Sequence, residues 1–256
     1  MLIRIISAAV LLPLLIISVN KGGFILISFL CVASLSSLYE LMRVISPSHK
    51  ELNYFIYLNT VFSYILMFLT DRYIDTVFLV SIAAILLMIK KRSDVIQTFW
   101  DIASYVYITG FLSHIYLLRG IDVRFCWLIF IIAFATDTFA YFSGLTFGKN
   151  KLVPSISPKK TIEGSIGGVL GAVLCSVIFA YFTGIKSLIF IAILAFLGSL
   201  VSQMGDLFAS TIKRHYDIKD FSNIIPGHGG VIDRIDSVLL LAPFLYYMII
   251  LMDKLV

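Results

Sequence analysis

In the stretch SQMGDLFASTIKR, Asp206, Ser210 and Lys213 or Arg214 recur at i, i+4 and i+7 or i+8. On a helix that spacing gathers a carboxylate, a hydroxyl and two cations on one stripe. An ordinary solvated helix end with intrahelical pairing would show the same pattern. Beyond it, KDFSNIIPGHGGVIDRIDS (219–237) adds Lys219, a turn of Gly227, His228, Gly229 and Gly230, and then Asp233, Arg234 and Asp236. The glycines permit positive φ angles and backbone N–H groups that converge on an anion. His228 would donate to a phosphate or fix the turn; with no second His or Cys beside it, it does not read as a transition-metal ligand. Asp233 and Asp236, at i and i+3, would suit helix capping. Capping does not explain Arg234 between them, or Asp206 at the end of the preceding helix. Carboxylates converging near cations suit a hard divalent metal, Mg²⁺, that bridges protein oxygens and phosphates.

Two further pieces lie upstream. In SPKKTIEGSIGG (157–168), Ser157 and Pro158 resemble an N-cap and a first-turn residue, so that Lys159 and Lys160 would project from a helix start, where phosphate is also welcome. Asp137 interrupts the apolar run ATDTFAYFSG. A carboxylate inside such a run is a functional candidate, with a protonated or Lys-paired structural Asp as the other reading.

The elements that must position these residues are membrane helices. The chain has 256 residues, 60% of them hydrophobic and 14% charged, and a mean hydropathy of +1.00, outside the range of soluble domains. Apolar runs of roughly the 20 residues that cross a bilayer occur at 3–20, 23–42, 53–71, 73–89, 98–117, 125–145, 164–183, 187–208 and 231–252. The first follows Arg4 and lacks a small-x-small cleavage site, so it reads as a retained helix. The expected fold is therefore all-α, a polytopic helical bundle of about nine transmembrane helices forming a single membrane domain. Within it, 1–124 would supply N-terminal helices and 125–256 the catalytic helices and cytosolic loops.

Nine crossings place fourteen Lys and Arg residues on the N-terminal side and six on the other. The positive-inside rule then puts the N terminus and the basic loops 146–163 and 209–230 in the cytosol. The net charge of +5 is modest, and no basic run interleaved with aromatics points to nucleic acid. Cys31, Cys126 and Cys175 are isolated in apolar runs and read as packing residues. Glu40 reads as a partner of Arg43 at i+3, Asp101 and His114 as groups that snorkel or hydrogen-bond to neighbouring helices, and Gly164, Gly167, Gly168 and Gly171 as overlapping GxxxG packing motifs.

Taken together, these residues closely resemble the phosphatidate cytidylyltransferase family, the CDP-diacylglycerol synthases. Ser210, Lys213 with Arg214, Lys219 with Asp220, Pro226 through Gly230, and Asp233-Arg234-Ile235-Asp236 stand at the family's spacing over 27 residues. The resemblance extends to SPKKTIEG and DTFAYFSG, and so covers roughly residues 135–245. It departs at Leu145, where the family commonly has a Lys or Arg; Lys149 and Lys151 lie near enough in sequence to compensate.

The resemblance implies that CTP and phosphatidate give CDP-diacylglycerol and pyrophosphate. It implies Mg²⁺ on Asp206, Asp233 and Asp236, with K⁺ as a possible companion. Phosphate contacts would come from Lys213, Arg214, Lys219, Arg234, His228, Lys159 and Lys160. Asp137, Ser210, Gly227, Gly229 and Gly230 would complete the substrate site at the cytosolic membrane interface. It also implies a homodimer among membrane lipids, and compactness without a targeting extension favours a bacterial plasma membrane. Two rivals are a CTP-dependent polyprenol or phytol kinase, which would transfer the γ-phosphoryl group, and an ion-coupled transporter. Transporters usually show inverted repeats and broken midplane helices, whereas here charge concentrates in one half of the chain.

Overall fold

Apolar runs of bilayer length must satisfy their backbone groups internally, and a helix does so within a single segment. The computed structural model of the chain describes residues 2–45, 50–70, 82, 85–86, 95–227 and 229–253. Its helices are α1 (Leu2–Lys21), α2 (Gly23–Ile45), α3 (Lys50–Thr70), α4 (Val95–Tyr105), α5 (Phe111–Ile121), α6 (Val123–Phe147), α7 (Ile162–Phe182), α8 (Leu188–His215) and α9 (Ile232–Asp253), with a π-helical turn at Val106–Gly110 between α4 and α5. Among the described residues, five helices are long and apolar enough to cross a membrane: α2, α6, α7, α8 and the Ile232–Leu251 part of α9. The chain is a polytopic helical membrane protein. Most of the expected span at 73–89 lies outside the described residues.

The described residues form two compact units. One comprises Met1–Leu117 with Ile218–Arg234, the other Leu118–Asp217 with Ile235–Val256. In the first unit, buried hydroxyls join neighbouring helices: Ser34 with Tyr64 at 2.7 Å, Ser63 with Tyr105 at 2.6 Å, and Thr60 with Thr109 at 3.0 Å. Such pairs give polar groups partners where water is absent. Asp101 and His114 use local partners: Gln97 Nε2 donates to Asp101 at 3.4 Å, and His114 Nδ1 donates to the Gly110 carbonyl at 2.8 Å.

In the second unit the GxxxG glycines of α7 lie flush against α6. A Cβ at Gly164 would come 2.8 Å from the Ala140 carbonyl oxygen, and one at Gly168 equally close to that of Thr136; Cβ atoms at Gly167 and Gly171 would collide with Ser143 and Phe139. On the far side of α7, Ile166, Leu170, Leu174 and Ile178 form an exposed apolar stripe at four-residue spacing, suited to lipid.

Between α6 and α7 the chain forms a hairpin absent from the all-α expectation. Strand β1 (Lys151–Val153) pairs antiparallel with β2 (Ser157–Thr161), with Lys151 opposite Thr161 and Val153 opposite Ser157. The expected helix start at Ser157 and Pro158 is therefore corrected: both belong to β2. Pro154 fits the second position of the connecting turn, which the Ile156 N–H closes onto the Val153 carbonyl at 3.2 Å. Pro158 is tolerated in an edge strand, where no ladder N–H is needed. The helix starts one turn later, with Thr161 as the N-cap of α7, its Oγ1 accepting the Gly164 N–H at 3.1 Å.

Candidate active site

Alternation along β2 sends successive side chains to opposite faces. Lys159 is exposed, while Lys160 turns to α8, where its Nζ lies 2.5 Å from Asp206 Oδ2. α8 runs unbroken to His215, so the expected stripe forms, and Ser210 Oγ donates to Asp206 Oδ1 at 3.3 Å. One turn farther, Arg214 Nε donates to the Ile156 carbonyl at 3.1 Å and ties the hairpin turn to the helix end.

Two more carboxylates join Asp206 in this unit. Asp236, in α9, is within electrostatic reach of Asp206, Lys213 and Asp137. Asp137, in α6, is in electrostatic reach of Asp206 and Lys160. Asp236 Oδ1 accepts the Ser237 N–H at 2.7 Å. The close approach of α8 and α9 depends on Gly205, next to Asp206, where a Cβ would come 2.6 Å from the Asp236 carbonyl oxygen. Asp137 therefore stands with Asp206 and Asp236, two of the three carboxylates expected to hold metal, and only helices from distant parts of the chain bring it there.

The glycine turn belongs to the first unit, with Gly227 at φ 76° and Gly229 at φ 88°. A non-glycine residue would be strained at both. An isolated bridge closes the turn, the Ile225 N–H donating to the Gly229 carbonyl at 2.9 Å. Asp233 Oδ2 accepts the N–H groups of Phe221 and Gly230, each at 3.0 Å, and clasps both ends of the segment. The Gly230 N–H, expected to face an anion, is thus given to a carboxylate of the protein. Lys219 and Arg234 are exposed on the same segment, and His228 lies outside the described residues.

Sequence reasoning assigned Glu40 to Arg43, and the structure gives it another role. Glu40 is fully buried. Its Oε1 accepts from Ser222 Oγ at 2.6 Å and from the Val231 N–H at 2.8 Å, and its Oε2 accepts from the Ile232 N–H at 3.0 Å. The available signal was a carboxylate within an apolar run, which calls for a partner; nothing local identified that partner.

The donors suit a hard cation in kind: carboxylate oxygens, with no sulfur among them. Among the described residues, no group of three or more His, Cys, Asp or Glu side chains is drawn together tightly enough to hold a metal by itself. Mg²⁺ does not require such a cage, since one or two carboxylates, water and substrate phosphates complete its shell.

Comparison with known proteins shows the family. The profile of the Cytidylyltransferase family matches residues 2–252. A protein of Staphylococcus epidermidis named phosphatidate cytidylyltransferase is 32% identical over 259 residues, covering 97% of each chain. Its namesake in Staphylococcus aureus is 31% identical over 257 residues, again covering 97% of each. A Bacillus subtilis protein of the same name is 44% identical over 122 residues, 47% of this chain and 45% of its own.

Proposed function

This chain belongs to the cytidylyltransferase family, and on that premise we propose that it transfers the cytidylyl group of CTP to phosphatidate, giving CDP-diacylglycerol and pyrophosphate. The observation that carries the reading to particular side chains is the Lys160–Asp206 pair, with Asp236, Asp137 and Lys213 in electrostatic reach.

The chemistry demands what this group of residues offers. A phosphatidate oxygen, already ionised at neutral pH, attacks the α-phosphorus of CTP; the new O–P bond forms as the α–β anhydride bond breaks and pyrophosphate departs. No general base is needed. The obstacle is bringing two polyanions together and stabilising charge that spreads over the phosphoryl oxygens. Lys160 and Lys213, with Lys159, Arg214, Lys219, Arg234 and His228, are assigned to neutralise and orient those phosphates. Asp206, Asp233 and Asp236 would hold Mg²⁺, and Asp137 is a neighbouring carboxylate of Asp206 and Asp236. Bound there, the ion would neutralise phosphate charge and polarise the α-phosphoryl group.

The same reading includes nine crossings, a cytosolic N terminus and a site facing the cytosol at the membrane surface, where soluble CTP meets a lipid head group. It also includes a homodimer and K⁺ beside the divalent ion. The deciding assay supplies purified protein in detergent with phosphatidate, Mg²⁺ and CTP labelled at either the α- or the γ-phosphorus. Label from α-labelled CTP should enter the chloroform-soluble product, and γ-label should stay in water as pyrophosphate. Entry of γ-label into lipid would replace the reading with a lipid kinase.

A further inference from the structure

We propose that Glu40 of α2 is a positioning residue that sets the conformation of the 219–232 segment for CTP. The proposal rests on the assignment of that segment to nucleotide binding. A buried carboxylate is costly unless donors surround it, and the three donors to Glu40 all come from this segment: Ser222 Oγ, Val231 N–H and Ile232 N–H. The last two are backbone groups at the start of α9, which have no partner within the helix. A carboxylate there also complements the positive end of the helix dipole. Glu40 is thus an N-cap supplied by a helix 192 residues away in sequence.

Gly230 gives an independent sign of this fit. It is absent from the residues with positive φ, so backbone conformation does not require glycine there. Space does: a Cβ at 230 would come 2.5 Å from Glu40 Oε2 and 2.9 Å from both Oε1 and Cδ.

Ser222 extends the grip along the segment, since its Oγ also accepts the Ile224 N–H at 3.1 Å. Together with the Asp233 clasp and the Ile225–Gly229 bridge, these bonds satisfy the N–H groups of Phe221, Ile224, Ile225, Gly230, Val231 and Ile232. Two carboxylates, Glu40 and Asp233, therefore hold the residues that flank Gly227 and Gly229. Glu40 is enclosed by the segment and acts on CTP through its shape.

The test is Glu40→Gln in the full-length protein, which keeps the side-chain volume but turns one acceptor into a donor facing an N–H or O–H. With α-labelled CTP and phosphatidate, the KM for CTP should rise about 10-fold or more, the equivalent of one charge-assisted hydrogen bond, while the KM for phosphatidate stays unchanged. Gly230→Ala, which pushes on the same carboxylate, should reproduce that split. Ser222→Ala leaves the charge in place and should raise the KM for CTP about 5-fold, as for one neutral hydrogen bond; it decides the matter if Glu40→Gln does not fold. A purely structural role would lower the amount of active enzyme and leave both KM values alone. Wild-type KM for CTP in the folded Glu40→Gln or Ser222→Ala protein would overturn the proposal and leave the enzyme assignment intact. Wild-type protein that puts no α-label into lipid would overturn that assignment, and the proposal with it.

Discussion

Lys160→Met removes the cation closest to Asp206 while preserving much of the side chain's apolar volume. The Nζ–Oδ2 distance is 2.5 Å, and the two side chains are 27% and 25% exposed. A pair this accessible falls between a surface ion pair and a buried one, so its loss should cost about 1–2 kcal/mol of stability. Its loss from the transition state should cost more. Withdrawing one preorganised donor from a developing phosphoryl charge is worth about 3–4 kcal/mol, a fall of about 100- to 1000-fold in turnover. Asp206 would also be left facing Asp236 and Asp137, with Lys213 beside Asp236, which raises the repulsion that an incoming triphosphate meets. The assay is initial rate of α-label incorporation into lipid, read beside a thermal melt of the same preparation. Lys186→Met, at an exposed lysine in the turn between α7 and α8, is the control and should behave as wild type. Wild-type turnover in Lys160→Met, or a rate loss that disappears on correction for folded protein, would refute the assignment of Lys160 to the phosphates.

Asp206→Asn and Asp236→Asn should each lower turnover at least about 100-fold without abolishing folding; activity near wild type in either would remove that carboxylate from the proposed metal set. Gly205→Ala places a methyl group 2.6 Å from the Asp236 carbonyl oxygen, which should cost about 1–3 kcal/mol as α8 and α9 are forced apart. A lowered melting temperature together with reduced incorporation is expected, and an unchanged melt would contradict the close approach. Asp122, in the turn before α6, accepts hydrogen bonds from the Arg124 side chain and N–H, and these hold its carboxyl below the ordinary value of 3.8. Its contribution to stability is therefore present above that pH and fades as pH falls through the lower folded-state value. The melting difference between wild type and Asp122→Asn should narrow on acidification below about pH 4; a difference that widens would reverse the sign of the argument.

What the sequence determined by itself was local or compositional. Hydropathy and run length made the chain a membrane protein of many helices, because a bilayer accepts few other backbones. The stripe of Asp206 and Ser210 was legible because helical periodicity alone aligns residues four apart. The glycines of α7 were legible as a packing face because small residues at that spacing serve close approach in lipid. The hairpin was misread: Ser157-Pro158 suits a helix start as well as an edge strand, and pairing with 151–153, a long-range choice, settled which. Only the tertiary structure decided that Lys160 pairs with Asp206, that Asp137 lies near Asp236, and that Glu40 serves Ser222, Val231 and Ile232 rather than Arg43. The reason is the same in each case. A charged side chain away from water must find opposite charge or donors, and sequence shows that need without showing which distant segment the fold brings to meet it.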